Sequence, residues 1–134
     1  MTNKLSESAE HYLETILLLN KNAKVVRVKE ISKKTQVSMS SVHTALHLLE
    51  DQGLIAHERY GYVELTAKGA AIARKIYASH KALVNFLGVV LCVSRAVAER
   101  DACKIEHVIS PETLKNMATF AKQYMKGIGC RKKD

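Results

Sequence analysis

The chain has 134 residues, 47% hydrophobic and 25% charged, so it can bury a core and is neither a disordered nor a fibrous sequence. Its longest apolar run, Leu87 to Val93, is far shorter than the roughly 20 residues of a membrane-spanning helix, and no apolar leader follows a basic start, so we expect a cytoplasmic protein without a membrane partner. The net charge of +8 indicates a polyanionic partner, of which nucleic acid is the commonest.

The N-terminal half has the element order of a winged helix. Ser6 is a predicted N-cap for a first helix, and a second, short helix follows Val28. The stretch VKEISKKTQVSMSSVHTALHLLEDQGLI predicts a helix, a tight turn and a second helix, which Gly53 ends as a left-handed C-cap. Alternating apolar and polar residues around Tyr60-Gly61 then predict a two-stranded hairpin. Together these elements predict a winged helix-turn-helix.

The C-terminal half is predicted to be entirely helical. A long helical pattern runs from Thr66 to about Leu91, Ser94 can cap the next helix, and Ser110-Pro111-Glu112 can begin the last one. The predicted fold class is therefore mainly α, a winged helix-turn-helix with a two-stranded wing followed by an all-helical domain. We set the domain boundary inside the long helix, which divides the chain into residues 1–73 and 74–134.

The stretch ACKIEHVIS concentrates groups that bind metals. Cys103, Glu106 and His107 stand at i, i+3 and i+4 of the predicted fifth helix, so their side chains leave one flank, which Glu99 shares. Such a flank suits a metal site or a solvated edge of the core, and the residues alone leave both open. An enzyme with Cys103 as nucleophile and His107 as base finds no support, because the chain shows no oxyanion-hole motif or glycine-rich loop.

The cysteines are three in number, Cys92, Cys103 and Cys130. An odd number at irregular spacing gives no disulfide framework, so we expect thiols. One of them supports an alternative function, a winged-helix regulator that responds to oxidation of Cys103 or to a small organic ligand.

Four stretches in this order, VSMSSVHTALHLLEDQGLI, LTAKG, SHKALVNFL and ACKIEHVIS, resemble the diphtheria-toxin-repressor family of metal-dependent transcriptional regulators. The resemblance runs from about Ala9 to Met125, and the chain resembles the shorter, two-domain build of the manganese transport regulators. It implies a DNA-binding domain over residues 1–73 and a helical dimerisation and metal-binding domain over 74–134. The implied function is a metal-dependent repressor that binds a palindromic operator as a homodimer and is no enzyme.

The resemblance also implies the metal ligands. They fall on two residues of the first helix, one of the long helix and three of the fifth: His11, Glu14, His80, Cys103, Glu106 and His107. An ancillary site would be rebuilt around His80 and Glu99, because Val84 stands where iron-type members have a glutamate. By residue type alone, His80 is more often a hydrogen-bonded core histidine, and His11 with Glu14 more often an exposed pair.

The implied cofactor is a divalent transition metal, with iron(II) our first choice and manganese(II) or zinc(II) behind it. His11 and Cys103 replace carboxylates that manganese regulators have at these positions, and thiolate and imidazole ligands bind manganese(II) more weakly than the later ions of the series. Five or six ligands from three helices suit an octahedral ion better than zinc(II), which prefers four.

The DNA contacts are expected around the second helix of the helix-turn-helix, whose N-terminal residues reach base edges. The candidates there are Ser38, Met39, Ser40, Ser41, His43, Thr44 and His47, although the serines also suit an N-cap. Candidate phosphate contacts are Lys29, Lys33 and Lys34 on the preceding helix and Arg59 at the wing, although each lysine also suits a solvated surface.

Overall fold

The computed structural model describes residues 5–58 and 61–127. The elements in chain order are α1 (Glu7–Asn22), β1 (Val26–Arg27), α2 (Val28–Thr35), α3 (Met39–Asp51), β2 (Ile55–His57), β3 (Tyr62–Leu65), α4 (Ala67–Val89), α5 (Arg95–Ile105) and α6 (Pro111–Gly127). The chain divides into two compact units, Met1–Lys75 and Ile76–Asp134, and the division falls inside α4. None of the described helices has the length and apolar character needed to cross a membrane.

The first unit is a winged helix-turn-helix, which confirms the predicted fold. At the predicted start of α1, the Oγ of Ser6 accepts a hydrogen bond from the amide of Ala9 at 3.1 Å. On α3, Val42, Leu46 and Leu49 share one face and are buried in the core that α1, α2 and the sheet also line. Burial of each such side chain is worth about 1.5–3 kcal/mol, so this core fixes α3 against its neighbours.

The wing belongs to a three-stranded antiparallel sheet with strand order β1-β3-β2. Strands β2 and β3 form the predicted hairpin, with Ile55 opposite Leu65, and Gly61 in the connection has a φ of 83°. Strand β1 is an addition to the prediction, in which Val26 pairs with Val63. A strand of two residues is too short to show the alternation that reveals longer strands in a sequence.

Gly69, in the first turn of α4, lies against the backbone of Leu54, so a Cβ at this position would overlap the Leu54 carbonyl oxygen. We expect Gly69→Ala to lower the free energy of unfolding by about 1–3 kcal/mol, even though alanine is the better helix former. Gly88→Ala in the same helix is the matched control, because there a Cβ would meet no described atom within 4 Å. Urea denaturation, monitored by circular dichroism, gives the free energy of unfolding of both variants. Equal stability of the two would contradict the close approach of Gly69 to the Leu54 backbone.

The second unit is helical and has a core of its own. Leu83 and Leu87 of α4 are buried with Ala98 and Ala102 of α5, and partly buried side chains that include Leu114 of α6 pack against them. The predicted caps are present: Ser94 Oγ accepts from the Val97 amide at 3.4 Å, and Ser110 Oγ accepts from the Thr113 amide at 3.1 Å.

Helix α5 ends earlier than predicted. Its last residue is Ile105, Glu106 is the C-cap, and His107 lies in the following turn, so the expectation that His107 is helical is wrong. Pro111 disfavours a helical conformation at Ser110, so α5 and α6 cannot form one continuous helix. The chain therefore turns between the two helices, and the amides of Val108 and Ile109 both donate to the Ile105 carbonyl at 3.0 Å.

The cysteines differ from one another in the structure. Cys92 is disulfide-bonded, so the expectation of a thiol is wrong for this residue. Cys103 is half-buried and forms no disulfide, as expected, and Cys130 lies outside the described residues. Pairing depends on distances between residues in space, which the spacing of cysteines in the sequence does not reveal.

Candidate metal centre and DNA-facing helix

His80 of α4 lies between two carboxylates of the helical unit. Its Nδ1 is 2.7 Å from Oε2 of Glu106, and its Nε2 is 2.7 Å from Oε2 of Glu99. The side chain of His80 is 15% exposed, so it is a hydrogen-bonded histidine in a partly buried position. A neutral imidazole donates from one nitrogen only, so a neutral ring can donate a hydrogen bond to one of these two carboxylates and not to both.

Glu106 is the most buried charged group of this cluster. Its side chain is 0% exposed, and its second oxygen, Oε1, lies 3.3 Å from Nε2 of His107. The C-cap position of Glu106 and the turn that holds His107 therefore bring both side chains together, although His107 lies beyond the helix. Cys103 stands three residues before Glu106, in the last turn of α5.

Glu99 is half exposed and is held by a neighbour on its own helix. Its Oε1 accepts from Nε of Arg95 at 3.2 Å and from Nη2 of the same guanidinium at 3.1 Å, at i, i+4 spacing. The hydrogen bond from His80 lowers the pKa of Glu99, and Arg95 adds to this effect. Glu99 is thus a carboxylate anion whose two oxygens have different partners.

The two candidate metal ligands of α1, His11 and Glu14, lie about one helical turn apart. Glu14 is 5% exposed, and within residues 5–58 and 61–127 no hydrogen-bond partner reaches its Oε2. The idea of an exposed pair at His11 and Glu14 is therefore wrong for Glu14. Because a buried carboxylate oxygen without a partner is costly, this oxygen is suited to a bound cation.

These donors fit a divalent transition metal. Imidazole nitrogen binds iron(II) and zinc(II), carboxylate oxygen binds manganese(II) and iron(II), and a thiolate at Cys103 would favour the softer ions. Binding also requires neutral imidazole and ionised carboxylates, so the proton on the nitrogen that coordinates must leave. The structure brings together His80, Glu99, Glu106 and His107 within the helical unit.

Two neighbours of the cluster were not anticipated from the sequence. One is Arg95, whose i, i+4 spacing to Glu99 could have predicted their ion pair from the sequence. The other is Tyr77, whose ring is nearly parallel to that of His80, with centroids 6.5 Å apart and an interplanar angle of 13°. Lys81 Nζ lies 4.9 Å from the centroid of the same tyrosine ring.

The candidate DNA-facing residues of α3 are exposed. Ser38 is the N-cap, its Oγ accepting from the amide of Ser41 at 3.2 Å, and Thr44 Oγ1 donates to the Ser40 carbonyl at 3.1 Å. The exposed candidates are Ser38, Met39, Ser40, Ser41, His43, Thr44 and His47 on this helix and its cap, and Lys29, Lys33 and Lys34 on α2. The ring of His43 stacks on that of His57 of β2, with centroids 5.8 Å apart. Arg59, the candidate at the wing, lies outside the described residues.

Two family models match the chain. The iron dependent repressor N-terminal DNA binding domain matches residues 4–63, and the iron dependent repressor metal binding and dimerisation domain matches residues 66–126. An uncharacterised HTH-type transcriptional regulator of Methanocaldococcus jannaschii is 32% identical over 121 residues, which are 90% of this chain and 97% of that protein. The transcriptional regulator MntR of Escherichia coli O157:H7 is 33% identical over 118 residues, which are 88% of this chain and 76% of MntR.

Among solved structures, the chain is similar to a manganese-dependent transcriptional repressor in complex with manganese. The TM-score is 0.79 and the identity 25%, and the match covers 85% of this chain and 52% of that one. The chain thus spans about half the length of this structural relative.

Proposed function

The chain belongs to the iron-dependent repressor family of metal-dependent transcriptional regulators, and from this premise we propose that it binds a palindromic operator as a homodimer in the cytoplasm when it holds a divalent metal. It is a DNA-binding transcriptional regulator and not an enzyme. The observation that carries the metal dependence is the position of His80, with each ring nitrogen 2.7 Å from a carboxylate oxygen. A regulator that answers to an organic ligand or to oxidation of Cys103 is not favoured by the similarities.

The proposed ligands are those that the family resemblance implies: His11, Glu14, His80, Cys103, Glu106 and His107. The buried Glu106 and the buried oxygen of Glu14 support a cation in this role. Glu99 is the seventh candidate, and its contact with His80 leaves two roles open to it, a direct ligand or a hydrogen-bond partner of the ring.

Metal dependence follows from differential affinity. A bound metal supplies a centre of positive charge to which several donors attach at once, so it stabilises the arrangement of the chain that presents those donors best. If that arrangement also suits the operator, metal and operator strengthen each other's binding by the same factor.

Iron(II) is the effector that we propose, with manganese(II) and zinc(II) behind it. The presence of a cysteine at position 103 supports this order, because a thiolate ligand disfavours manganese(II) relative to iron(II). The solved relative is a manganese-dependent repressor by its name, and the departures at His11 and Cys103 are our reason to expect a different preference here.

Operator binding at matched free concentrations of the three metals, measured without oxygen, tests this order. We expect iron(II) to activate at a lower free concentration than manganese(II) does. The double replacement His11→Asp with Cys103→Glu should shift the preference toward manganese(II), because it restores two oxygen donors. Unaltered protein that is activated better by manganese(II) than by iron(II) would show that Cys103 is no ligand in the active state.

We propose that α3 reads base edges while α2 contacts the phosphate backbone. The candidate base-contacting residues of α3 are exposed, which supports the role of this helix, since a helix that enters the major groove must keep one face accessible. In the same arrangement the preceding helix crosses the backbone, and the exposed lysines of α2 suit it.

Replacing α2 lysines and α3 serines should have different consequences. Lys33→Ala with Lys34→Ala should weaken binding to every DNA sequence and reduce the slope of log affinity against log salt by about 0.9 for each lost phosphate contact. Ser40→Ala should instead change the preference among operator bases. Lys115→Ala on α6 is a control that removes a charge from an exposed position in the helical unit. Fluorescence anisotropy on operator and random duplexes measures these effects, and the reverse pattern would mean that the reading helix is misassigned.

A further inference from the structure

The two edges of the His80 ring face carboxylates of different character. Nδ1 meets Glu106, which is 0% exposed, whereas Nε2 meets Glu99, which is 42% exposed. Glu106 also lies 3.3 Å from the imidazole of His107. The Nδ1 edge therefore faces a buried cluster of donors, and the Nε2 edge faces one carboxylate near the surface.

Both carboxylate oxygens of Glu99 already have partners. Oε1 accepts from two nitrogens of Arg95 at 3.1 and 3.2 Å, and Oε2 lies 2.7 Å from the ring of His80. A metal bound between Oε2 and Nε2 would take the place of a ring proton there, so the ring could no longer donate a hydrogen bond to Glu99. A carboxylate that accepts a hydrogen bond from the ring keeps its contacts with both Arg95 and His80.

We propose that Glu99 is a positioning residue and not a ligand: it accepts a hydrogen bond from Nε2–H of His80, which leaves the lone pair of Nδ1 for a divalent metal beside Glu106. A neutral imidazole carries one ring proton, so an acceptor at Nε2 selects the tautomer with an unprotonated Nδ1 and also fixes the angle of the ring. Arg95 takes part by holding Glu99. This assignment rests on the proposed function, since it gives a role to residues around the proposed metal.

Arg95 offers a clean probe of the assignment. Its side chain is 83% exposed, and an exposed ion pair adds little to stability, so its removal should leave the fold intact. The matched control is Arg100, an exposed arginine of the same helix. Any loss of metal affinity that is specific to Arg95 then reports on the orientation of Glu99 and the ring.

The experiment uses the full chain and zinc(II), whose complex is diamagnetic. In protein with ¹⁵N-labelled histidine, long-range ¹H–¹⁵N spectra of the zinc-loaded form should show His80 with a protonated Nε2 and a coordinated Nδ1. Zinc titration should show an affinity about 10- to 100-fold lower for Arg95→Ala and for Glu99→Ala, with no change for Arg100→Ala. Glu99→Gln, which keeps an oxygen that can accept from Nε2–H, should recover part of the loss.

The contrary outcomes separate this assignment from the proposed function. Coordination through Nε2, or a Glu99→Gln variant that loses as much affinity as Glu106→Gln, would overturn the positioning role and leave metal dependence standing. Equal losses for Arg95→Ala and Arg100→Ala would overturn the role of Arg95. A wild-type chain that binds no zinc would overturn the proposed metal dependence and this assignment with it.

Discussion

Operator affinity should fall by about 100-fold when the metal is removed with a chelator, and should return when metal is added back. The reason is linkage, since a metal that stabilises the binding arrangement contributes a coupling free energy that in most proteins lies between about 1 and 3 kcal/mol, or 5- to 150-fold. An operator selected from random duplexes with metal-loaded protein provides the probe. Fluorescence anisotropy with and without chelator gives the ratio of affinities.

Random duplex DNA is the internal control for this measurement. Nonspecific binding depends on the net positive charge of the chain and on phosphate contacts, so the chelator should change it little. Because the coupling is reciprocal, the affinity for the metal must also rise by the same factor when operator DNA is present. Equal operator affinity in both conditions would rule out a metal-activated repressor.

The second large effect is expected at Glu106. Glu106→Gln removes the negative charge from a fully buried side chain that lies 2.7 Å from His80 and 3.3 Å from His107. Because loss of an outer partner of a metal ligand already costs about 10- to 100-fold in affinity, loss of a direct ligand should cost at least about 100-fold. Isothermal titration with iron(II), manganese(II) and zinc(II) measures the change, and operator binding should fall with it.

Glu112→Gln is the matched control, since Glu112 is an exposed carboxylate in the first turn of α6. We expect it to leave metal affinity unchanged. Circular dichroism establishes that both variants are folded. A folded Glu106→Gln protein with wild-type affinity for all three metals would remove Glu106 from the ligand set.

Local signals made most of the helical architecture predictable from the sequence. Ser6, Ser94 and Ser110 accept hydrogen bonds from amides three residues ahead, so the information lies within one turn of chain. Gly53 and Gly61 mark positions with positive φ, where glycine avoids the steric cost of a side chain. The winged helix-turn-helix followed from these signals together with helical and alternating hydrophobic patterns.

Some local expectations failed because more distant or competing groups decided the outcome. Strand β1 depends on its pairing with β3, in which Arg27 lies opposite Tyr62, a residue 35 positions later in the chain. The guanidinium of Arg27 also donates a hydrogen bond of 2.9 Å to the hydroxyl of Tyr62. Helix α5 ends at Ile105, before His107, and Pro111 keeps it from continuing into α6. The disulfide state of Cys92 likewise depends on neighbours in space.

The sequence by itself determined which kinds of donor this protein has, and the resemblance of its motifs indicated which of them to consider as ligands. It could not show the partners of His80, because Glu99 and Glu106 are 19 and 26 positions away from it. Only the tertiary structure decided that Nδ1 faces the buried carboxylate and Nε2 the one that Arg95 holds. The physical reason is that hydrogen bonds and coordination depend on distances of about 3 Å between atoms, and chain segments far apart in sequence reach such distances only when a shared core packs them together.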